Sequence, residues 1–175
     1  MKQQLQASPV SGTIGIAHTR WATHGSPSQL NSHPQIDCGG EIAVVHNGII
    51  ENYDILKKEL LKDGHTLVSQ TDTEVIAHLM EAYMREQKGM IYALRNTAKQ
   101  LHGPQAIIVL SKKEPSTIAG LKLGNAGGIV VGHGHREMYL ASDLPAILPY
   151  TKLISRLDDG EMVSVTPENV SYFTI

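Results

Sequence analysis

The apolar pattern changes twice along this chain, and that order restricts the fold more than any other feature of the sequence. Short strand-like runs lie near the start, helical apolar stripes occupy roughly residues 52–101, and closely spaced short runs return after His102. Because the helices form a block in the middle and do not alternate singly with strands, the pattern favours an α+β layered sandwich with mainly antiparallel sheets.

Three helices are predicted in the central block. The first begins after Asn52 as N-cap and runs to about Lys62, with Gly64 suited to its C-terminal cap. The sequence T-D-T-E at 71–74 resembles a capping box and predicts the start of the second helix, and the third covers residues 91–101. Strands are predicted at 13–17, 41–46, 65–69, 106–110, 117–121, 129–132, 138–141, 154–157, 162–165 and 170–173.

Length, charge and cysteine count exclude several classes of protein. The 175 residues fit one domain, and no apolar run approaches the 18 residues that a membrane span needs. One cysteine excludes an intramolecular disulfide and a cysteine-based zinc cluster, so we expect a reducing cytoplasm and no metal. A net charge of −2 and 5% aromatic residues argue against nucleic acid as a partner.

Residues 18–24 gather two histidines, an arginine, a tryptophan and two threonines directly after a predicted strand. The planar guanidinium of Arg20 can bind a carboxylate through two N–H groups, and Trp21 could cover a small ligand. Composition alone favours a plainer interpretation, a surface loop in which Arg20 makes an ordinary salt bridge.

The dipeptide Asn47-Gly48 allows two interpretations. Asn-Gly is first of all a hairpin signal, but a helix and not a paired strand is predicted after it. An Asn amide beside a Gly backbone N–H can also form an oxyanion hole. Asp72, at the start of a predicted helix, either complements the helix dipole or pairs with a ligand ammonium, and the dipole role is favoured from sequence alone.

Three weaker candidates complete the search for chemistry. The glycine-rich stretch at 124–128 lacks a Walker lysine and is only a weak phosphate-site candidate. His133 and His135 have no third metal ligand nearby in the sequence, and Cys38 lies in a predicted turn with no identifiable base beside it.

Four segments, taken together and in this order, resemble the glutaminase domain of the glucosamine-6-phosphate synthases, a branch of the class II glutamine amidotransferases. They are G-I-A-H-T-R-W-A-T-H-G at 15–25, V-H-N-G-I-I-E-N at 45–52, Q-T-D-T-E-V-I at 70–76 and A-S-D at 141–143. The resemblance covers nearly the whole chain from about Ser11. It implies the N-terminal-nucleophile hydrolase fold, a layered αββα sandwich, and an enzyme that hydrolyses glutamine to supply ammonia for amination of fructose 6-phosphate.

The resemblance also implies roles for the motif residues. Arg20 would bind the α-carboxylate of glutamine and Asp72 its α-ammonium, while Thr23 and His24 would line the same pocket. Trp21 would correspond to the loop tryptophan that moves during closure and ammonia transfer. No cofactor is implied.

The oxyanion hole of the family would be formed here by the Asn47 side chain and the Gly48 backbone N–H. The family's nucleophile is an N-terminal cysteine, whereas this chain begins Met1-Lys2 and its one cysteine, Cys38, is internal. We therefore expect the chain to be inactive, or nearly so, by itself.

The resemblance further describes 1–175 as a single, N-terminally truncated amidotransferase domain that lacks the family's opening strands and its sugar-isomerase domain. Missing strands would leave sheet edges open, so we expect a homo-oligomer. The expected partners are glutamine and, in a full enzyme, the isomerase domain, with no nucleic acid and no membrane. Two alternatives stay open: a non-catalytic module that binds glutamine or a partner subunit, and a related amidotransferase with another acceptor.

Overall fold

The computed structural model describes residues 7–21 and 25–175, and within them nine strands and three α-helices are present. The helices are α1 (Tyr53–Lys62), α2 (Thr73–Met84) and α3 (Met90–Gln100). The strands are β1 (Gln35–Ile36), β2 (Ile42–Gly48), β3 (Gln105–Ser111), β4 (Ile118–Leu123), β5 (Val130–His133), β6 (Met138–Ala141), β7 (Ile154–Arg156), β8 (Glu161–Val165) and β9 (Val170–Thr174).

The strands form two antiparallel sheets. The larger has the order β1-β2-β3-β4-β8-β9 and the smaller the order β6-β5-β7. The three helices pack on one face of the larger sheet, and the smaller sheet packs on its other face. The predicted α+β sandwich with mainly antiparallel sheets is therefore confirmed.

Alternation along β3 explains why the larger sheet is covered on both faces. Ile107 and Val109 belong to the core shared with the helices, whereas Ala106 and Ile108 lie in the core between the sheets. Side chains on one strand alternate between faces, so a strand buried on both sides must be apolar almost throughout. Each fully buried Ile or Val contributes roughly 1.5–3 kcal/mol relative to an exposed one.

A 3-10 helix at Leu144–Ala146 leads the chain over the outer face of the smaller sheet. Gly132 of β5 lies directly beneath the residues that follow it: a Cβ at this position would overlap the Ile147 side chain and lie 3.0 Å from Thr151 Cγ2. The absence of a side chain at Gly132 thus lets this segment pack closely on the strand.

The helix predictions are largely confirmed. Asn52 is the N-cap of α1, and α1 ends at Lys62 as expected. The capping box at 71–74 is wrong in detail, because Asp72 is the N-cap of α2 and makes no side-chain cap. The Glu74 carboxylate instead accepts hydrogen bonds from Val68 N and Ser69 N, each at 2.7 Å.

Two predicted strands do not form. Residues 65–69 belong to no sheet, because the backbone N–H groups of Val68 and Ser69 bond to Glu74 and not to a neighbouring strand. Residues 13–17 also lie outside the two sheets; Ile14 and Ile16 are half-buried and line shallow cavities beside Met138 and Tyr139 of β6. Their apolar alternation reflects packing against this edge without a hydrogen-bonded ladder.

Across the described residues, 7–21 and 25–175, none of the helices has both the length and the apolar character needed to cross a bilayer.

Candidate functional site

Asn47 and Gly48 are the last two residues of β2, where they pair with Ala106 and Gln105 of β3. The hairpin interpretation of this dipeptide is therefore wrong, because the pair continues a strand. Gly48 has φ +138°, and a Cβ there would lie 2.8 Å from both Gln105 Oε1 and His46 Nε2. Only glycine fits this backbone conformation and this space.

The Asn47 side chain is oriented by His18. His18 Nε2 lies 2.9 Å from Asn47 Oδ1, and because the amide oxygen can only accept, the ring nitrogen donates. The Asn47 amide N–H₂ group therefore points the other way, toward Gly127. Within the described ranges 7–21 and 25–175, no group accepts a hydrogen bond from Asn47 Nδ2.

A cavity of about 370 Å³ opens beside Asn47, between the segment 17–19, the end of β2 and the strand β6. Its polar wall is formed by His18, Thr19, His46, Asn47 and Ser142. Its remaining wall is apolar, from Ala17, Val45, Ala106, Ile108, Ile129, Leu140, Ala141 and Ala146, with Gly128 at one side. An apolar pocket with a few convergent polar groups is the usual form of a small-molecule site.

A buried hydrogen-bond chain supports the floor of this cavity. Gln105 Nε2 donates to Ile49 O at 3.0 Å, which turns Gln105 Oε1 toward His46 Nε2. His46 therefore carries its proton on Nε2, and its Nδ1 accepts from the Thr73 hydroxyl at 3.0 Å. Burial lowers the pKa of His46, so the ring is neutral and holds β2, β3 and α2 together.

A third histidine, His33, packs against His18 with the ring centroids 4.5 Å apart and the ring planes tilted by 38°. Burial is the largest cause of the lowering of the His33 pKa to about 3, and electrostatic interactions with His18, His46 and Arg20 act in the same direction. His33 is therefore neutral at physiological pH.

Arg20 is held by the chain that follows it. Its Nη1 and Nη2 each lie 3.4 Å from Gly25 O. Gly25 in turn packs on Asn31 and Gln70, whose side chains hydrogen-bond to each other at 3.1 Å. These contacts connect Arg20 to the segment just before Asp72.

Asp72 is buried and accepts a hydrogen bond from Ile50 N at 2.9 Å through Oδ2. Trp21 is 90% exposed. Neither residue lines the 370 Å³ cavity, and neither do Arg20 and Gly48. Among the predicted site residues that the structure describes, only Asn47 lies directly at its wall. Thr23 and His24 lie outside the described residues.

The weaker sequence candidates fall elsewhere. Gly124 N donates to the Asp159 carboxylate at 2.6 Å, an acidic neighbour that disfavours a phosphate there. His133 bonds to Ser155, while His135 is exposed. The expectation that Cys38 has no base beside it is wrong, because two histidines lie next to its thiol.

Cys38 Sγ lies 3.5 Å from His78 Nδ1 and 3.8 Å from His65 Nδ1. Glu81 Oε2 lies 3.0 Å from His65 Nδ1 and 3.5 Å from His78 Nδ1, which completes a group of four potential metal ligands. Its members are spread over residues 38–81, so no local ligand spacing in the sequence indicates the group.

The fold is similar to those of solved amidotransferases. The glutamine phosphoribosylpyrophosphate amidotransferase from B. subtilis, solved with ADP and GMP, superimposes with a TM-score of 0.73 at 23% identity, over 90% of this chain and 34% of that one. A glutamine aminotransferase class-II domain protein from Silicibacter pomeroyi gives a TM-score of 0.59 at 16% identity, over 77% of this chain and 67% of that one. The architecture is that of the N-terminal-nucleophile hydrolase-type amidotransferases.

Sequence comparison defines the family. The profile described as glutamine amidotransferase domain matches residues 18–149, three quarters of the chain, and the chain belongs to this family. It is 51% identical over 160 residues to the isomerizing glutamine–fructose-6-phosphate aminotransferase of Methanothermobacter thermautotrophicus and 52% identical over 159 residues to that of Aquifex aeolicus. Each alignment covers 91% of this chain but only 27% or 26% of the relative, so the chain spans about a quarter of their length.

Sequence reasoning missed three residues of the site. His18 lies inside a quoted motif, but nothing in the sequence indicates that it bonds to a residue 29 positions away. His33 and Gln105 gain their roles only from packing and from the β2–β3 register, in which His46 and Gln105 lie near each other across 59 positions.

Proposed function

We propose that these 175 residues bind L-glutamine and supply the oxyanion-stabilising donors of a glutaminase site, which in the whole protein provides ammonia for amination of fructose 6-phosphate. The observation that carries the proposal is the hydrogen bond from His18 to Asn47 Oδ1. It leaves the two N–H donors of Asn47 available beside a cavity with mostly apolar walls. Donors fixed before reaction are the usual source of oxyanion stabilisation.

Glutamine recognition needs opposite charges for its α-carboxylate and α-ammonium. Arg20 and Asp72 supply them, each held by backbone contacts, Arg20 at Gly25 O and Asp72 at Ile50 N. Two fixed charges of opposite sign select an α-amino acid over a simple amide. The four matching motifs and the relatives named above support glutamine over other amino acids, and cytoplasm stays the predicted compartment.

Acyl transfer also needs a nucleophile, and Cys38 is not suited to that role. Cys38 lies before the first residue of β2, whereas Asn47 is the next-to-last residue of that strand. Ile42 and Asn47 are five positions apart along the strand, which corresponds to roughly 17 Å. The thiol faces His65 and His78 and not the cavity. We therefore propose that the 175-residue chain binds glutamine without hydrolysing it.

Calorimetry with the 175-residue chain tests the binding. L-glutamine is expected to bind with a stoichiometry of one. D-glutamine, which carries both charged groups in the opposite configuration, and propionamide, which carries neither, are expected not to bind. Equal affinity for all three, or no affinity for L-glutamine, would contradict the proposal. The acceptor is tested separately, by measuring glucosamine 6-phosphate formation from fructose 6-phosphate and glutamine by the full reading frame that contains these residues.

A further inference from the structure

We propose that Cys38, His65, His78 and Glu81 form a zinc site, one Zn²⁺ per chain, remote from the glutamine pocket. Cys38 lies in the turn between β1 and β2, His65 follows α1, and the other two residues lie on α2. One ligand atom from each residue lies within 4.8 Å of all the others. Thiolate and imidazole are ligands that select zinc over magnesium or calcium.

Four of the six distances between the donor atoms are close to those around a tetrahedral ion, and the other two lie within 4.8 Å. Zn–S bonds of about 2.3 Å and Zn–N or Zn–O bonds of about 2.0–2.1 Å place neighbouring donors about 3.3–3.6 Å apart around a tetrahedral centre. The Cys38 Sγ to His78 Nδ1 distance is 3.5 Å and that to His65 Nδ1 is 3.8 Å. Glu81 Oε2 lies 3.0 Å from His65 Nδ1 and 3.5 Å from His78 Nδ1. Changes of a few tenths of an ångström in these four distances, with the other two closing to tetrahedral values, would enclose the ion.

The surroundings of His78 determine which of its ring nitrogens carries the proton and which one presents a lone pair to the cluster. The Glu74 carboxylate is fixed by Val68 N and Ser69 N, and its Oε1 lies 3.6 Å from His78 Nε2. His78 is 1% exposed, and within the described part of the chain its Nε2 has no hydrogen-bond partner. The carboxylate therefore favours the proton on Nε2, which leaves the Nδ1 lone pair directed at Glu81 Oε2. Two lone pairs at this distance repel each other unless a cation lies between them, and a carboxylate behind a ligating histidine is common at zinc sites.

The charges of the cluster balance those of the ion. On binding, the Cys38 thiol loses its proton to solvent, so one thiolate and one carboxylate neutralise Zn²⁺ while both histidines stay neutral. Thr66 N lies 3.4 Å from Cys38 Sγ and can donate to the thiolate. Arg85 Nη2 holds Glu81 Oε1 at 2.8 Å, which leaves Oε2 as the single ligand oxygen.

Burial and position indicate a structural rather than a catalytic ion. His65 and His78 are buried, whereas Cys38 is exposed and gives the ion a route from solvent. Four protein ligands fill a tetrahedral site, and closed sites of this kind stabilise folds. The ion would join the β1–β2 turn to α2 and to the segment after α1.

The test is direct zinc binding by the 175-residue chain, stripped with a chelator and kept reduced. Equilibrium dialysis with ZnCl₂ and elemental analysis is expected to give one equivalent per chain. Co²⁺ in place of Zn²⁺ is expected to give the intense visible bands of a tetrahedral site and a thiolate-to-cobalt charge-transfer band. Cys38→Ser, an exposed and nearly isosteric change, is expected to abolish that band and lower zinc affinity at least tenfold.

His135→Ala is the matched control, since His135 is an exposed histidine in the β5–β6 turn. It is expected to bind both ions as the unchanged chain does. A zinc content far below one equivalent, an octahedral cobalt spectrum, or unchanged zinc affinity in Cys38→Ser would each overturn the site. The cobalt spectrum of the unchanged chain decides the question even if a variant fails to fold.

Discussion

His18 Nε2 donates to Asn47 Oδ1 at 2.9 Å, across 29 positions of sequence and between a segment outside both sheets and the end of β2. The bond determines which end of the Asn47 amide faces the cavity. This orientation decides whether the amide can donate a hydrogen bond to an oxyanion. A freely rotating amide would present its oxygen half of the time. The proposed role of Asn47 thus depends on His18, a residue for which the sequence alone predicted no role.

Replacing Asn47 by alanine removes the donor and is expected to lower kcat for glutamine hydrolysis by about 10²–10³, the usual effect of losing one oxyanion donor. KM should change little, because the donor acts mainly in the transition state. The measurement is steady-state ammonia release by the protein that the full reading frame encodes. Asn96→Ala on α3, whose amide bonds only within its helix, serves as control. A kcat within threefold of the unchanged enzyme would remove Asn47 from the mechanism.

The 175-residue chain alone is expected to release no ammonia from glutamine. Its one thiol, Cys38, lies at the far end of β2 from Asn47, and loss of a nucleophile lowers kcat by about 10⁶ in a well-studied hydrolase. The measurement is ammonia release by a mass-verified sample, with Cys38→Ser as the comparison. Turnover above the buffer rate that persists in Cys38→Ser would reveal a different nucleophile.

Glu74 is expected to make stability depend on acid pH. Burial would raise its pKa, but the nearby His78 ring, 3.6 Å away, and the hydrogen bonds from Val68 N and Ser69 N outweigh that effect and lower the pKa from 4.5 to about 2. A carboxyl whose folded pKa is depressed contributes stability above its unfolded pKa, and that contribution is lost as pH falls from about 5 to 2. At neutral pH it is on the order of 3 kcal/mol.

Urea unfolding of metal-free protein at pH 7, 4 and 3 measures this contribution. The difference in unfolding free energy between the unchanged chain and Glu74→Gln should be largest at pH 7 and shrink toward pH 3. Glu168→Gln, at an exposed position, should show no such trend. A difference that stays constant with pH would mean that Glu74 acts by packing and not by charge.

Self-association is expected at micromolar concentration. Within the described residues, β6 is an edge of the smaller sheet, and the adjoining segment 13–17 makes no ladder with it. Ile14, Ile16, Met138 and Leu140 line open cavities along this edge. An unpaired edge with apolar neighbours favours pairing with another chain. Light scattering coupled to gel filtration should show a mass of at least two chains, and a monomer at all concentrations would contradict the expectation.

The difference between what sequence predicted and what it missed has a physical basis. Helix α1 was predictable because its cap, its apolar stripe and its terminal glycine are all local signals within residues 52–64. The failed strand at 65–69 depends on Glu74, which lies beyond the segment and takes its N–H groups. The link between His46 and Gln105 depends on strand register, and the group around Cys38 on the packing of three separate segments. Contacts between residues so far apart in the chain produce no periodic pattern from which a single sequence could predict them.

Arg20 and Asp72 provide the sharpest test of glutamine recognition. Arg20 can bind a carboxylate through two parallel N–H bonds, and lysine keeps the charge but loses this geometry. Arg20→Lys is therefore expected to weaken glutamine binding nearly as much as Arg20→Ala. Asp72→Asn keeps an oxygen to accept from Ile50 N but removes the charge. It should weaken binding by on the order of 2–5 kcal/mol, because the ammonium loses a buried partner.

Calorimetry of L-glutamine binding to the 175-residue chain and its variants measures both effects. Arg95→Lys is the matched control, since Arg95 on α3 bonds to Thr174 O at the other edge of the larger sheet. Its affinity should equal that of the unchanged chain, and circular dichroism should show all variants folded. If Arg20→Lys binds as well as the unchanged chain while Arg20→Ala does not, Arg20 acts through its positive charge and not through two parallel hydrogen bonds. If neither Arg20 variant nor Asp72→Asn loses affinity, glutamine binds elsewhere. The two residues would then serve to hold the backbone through their hydrogen bonds with Gly25 O and Ile50 N.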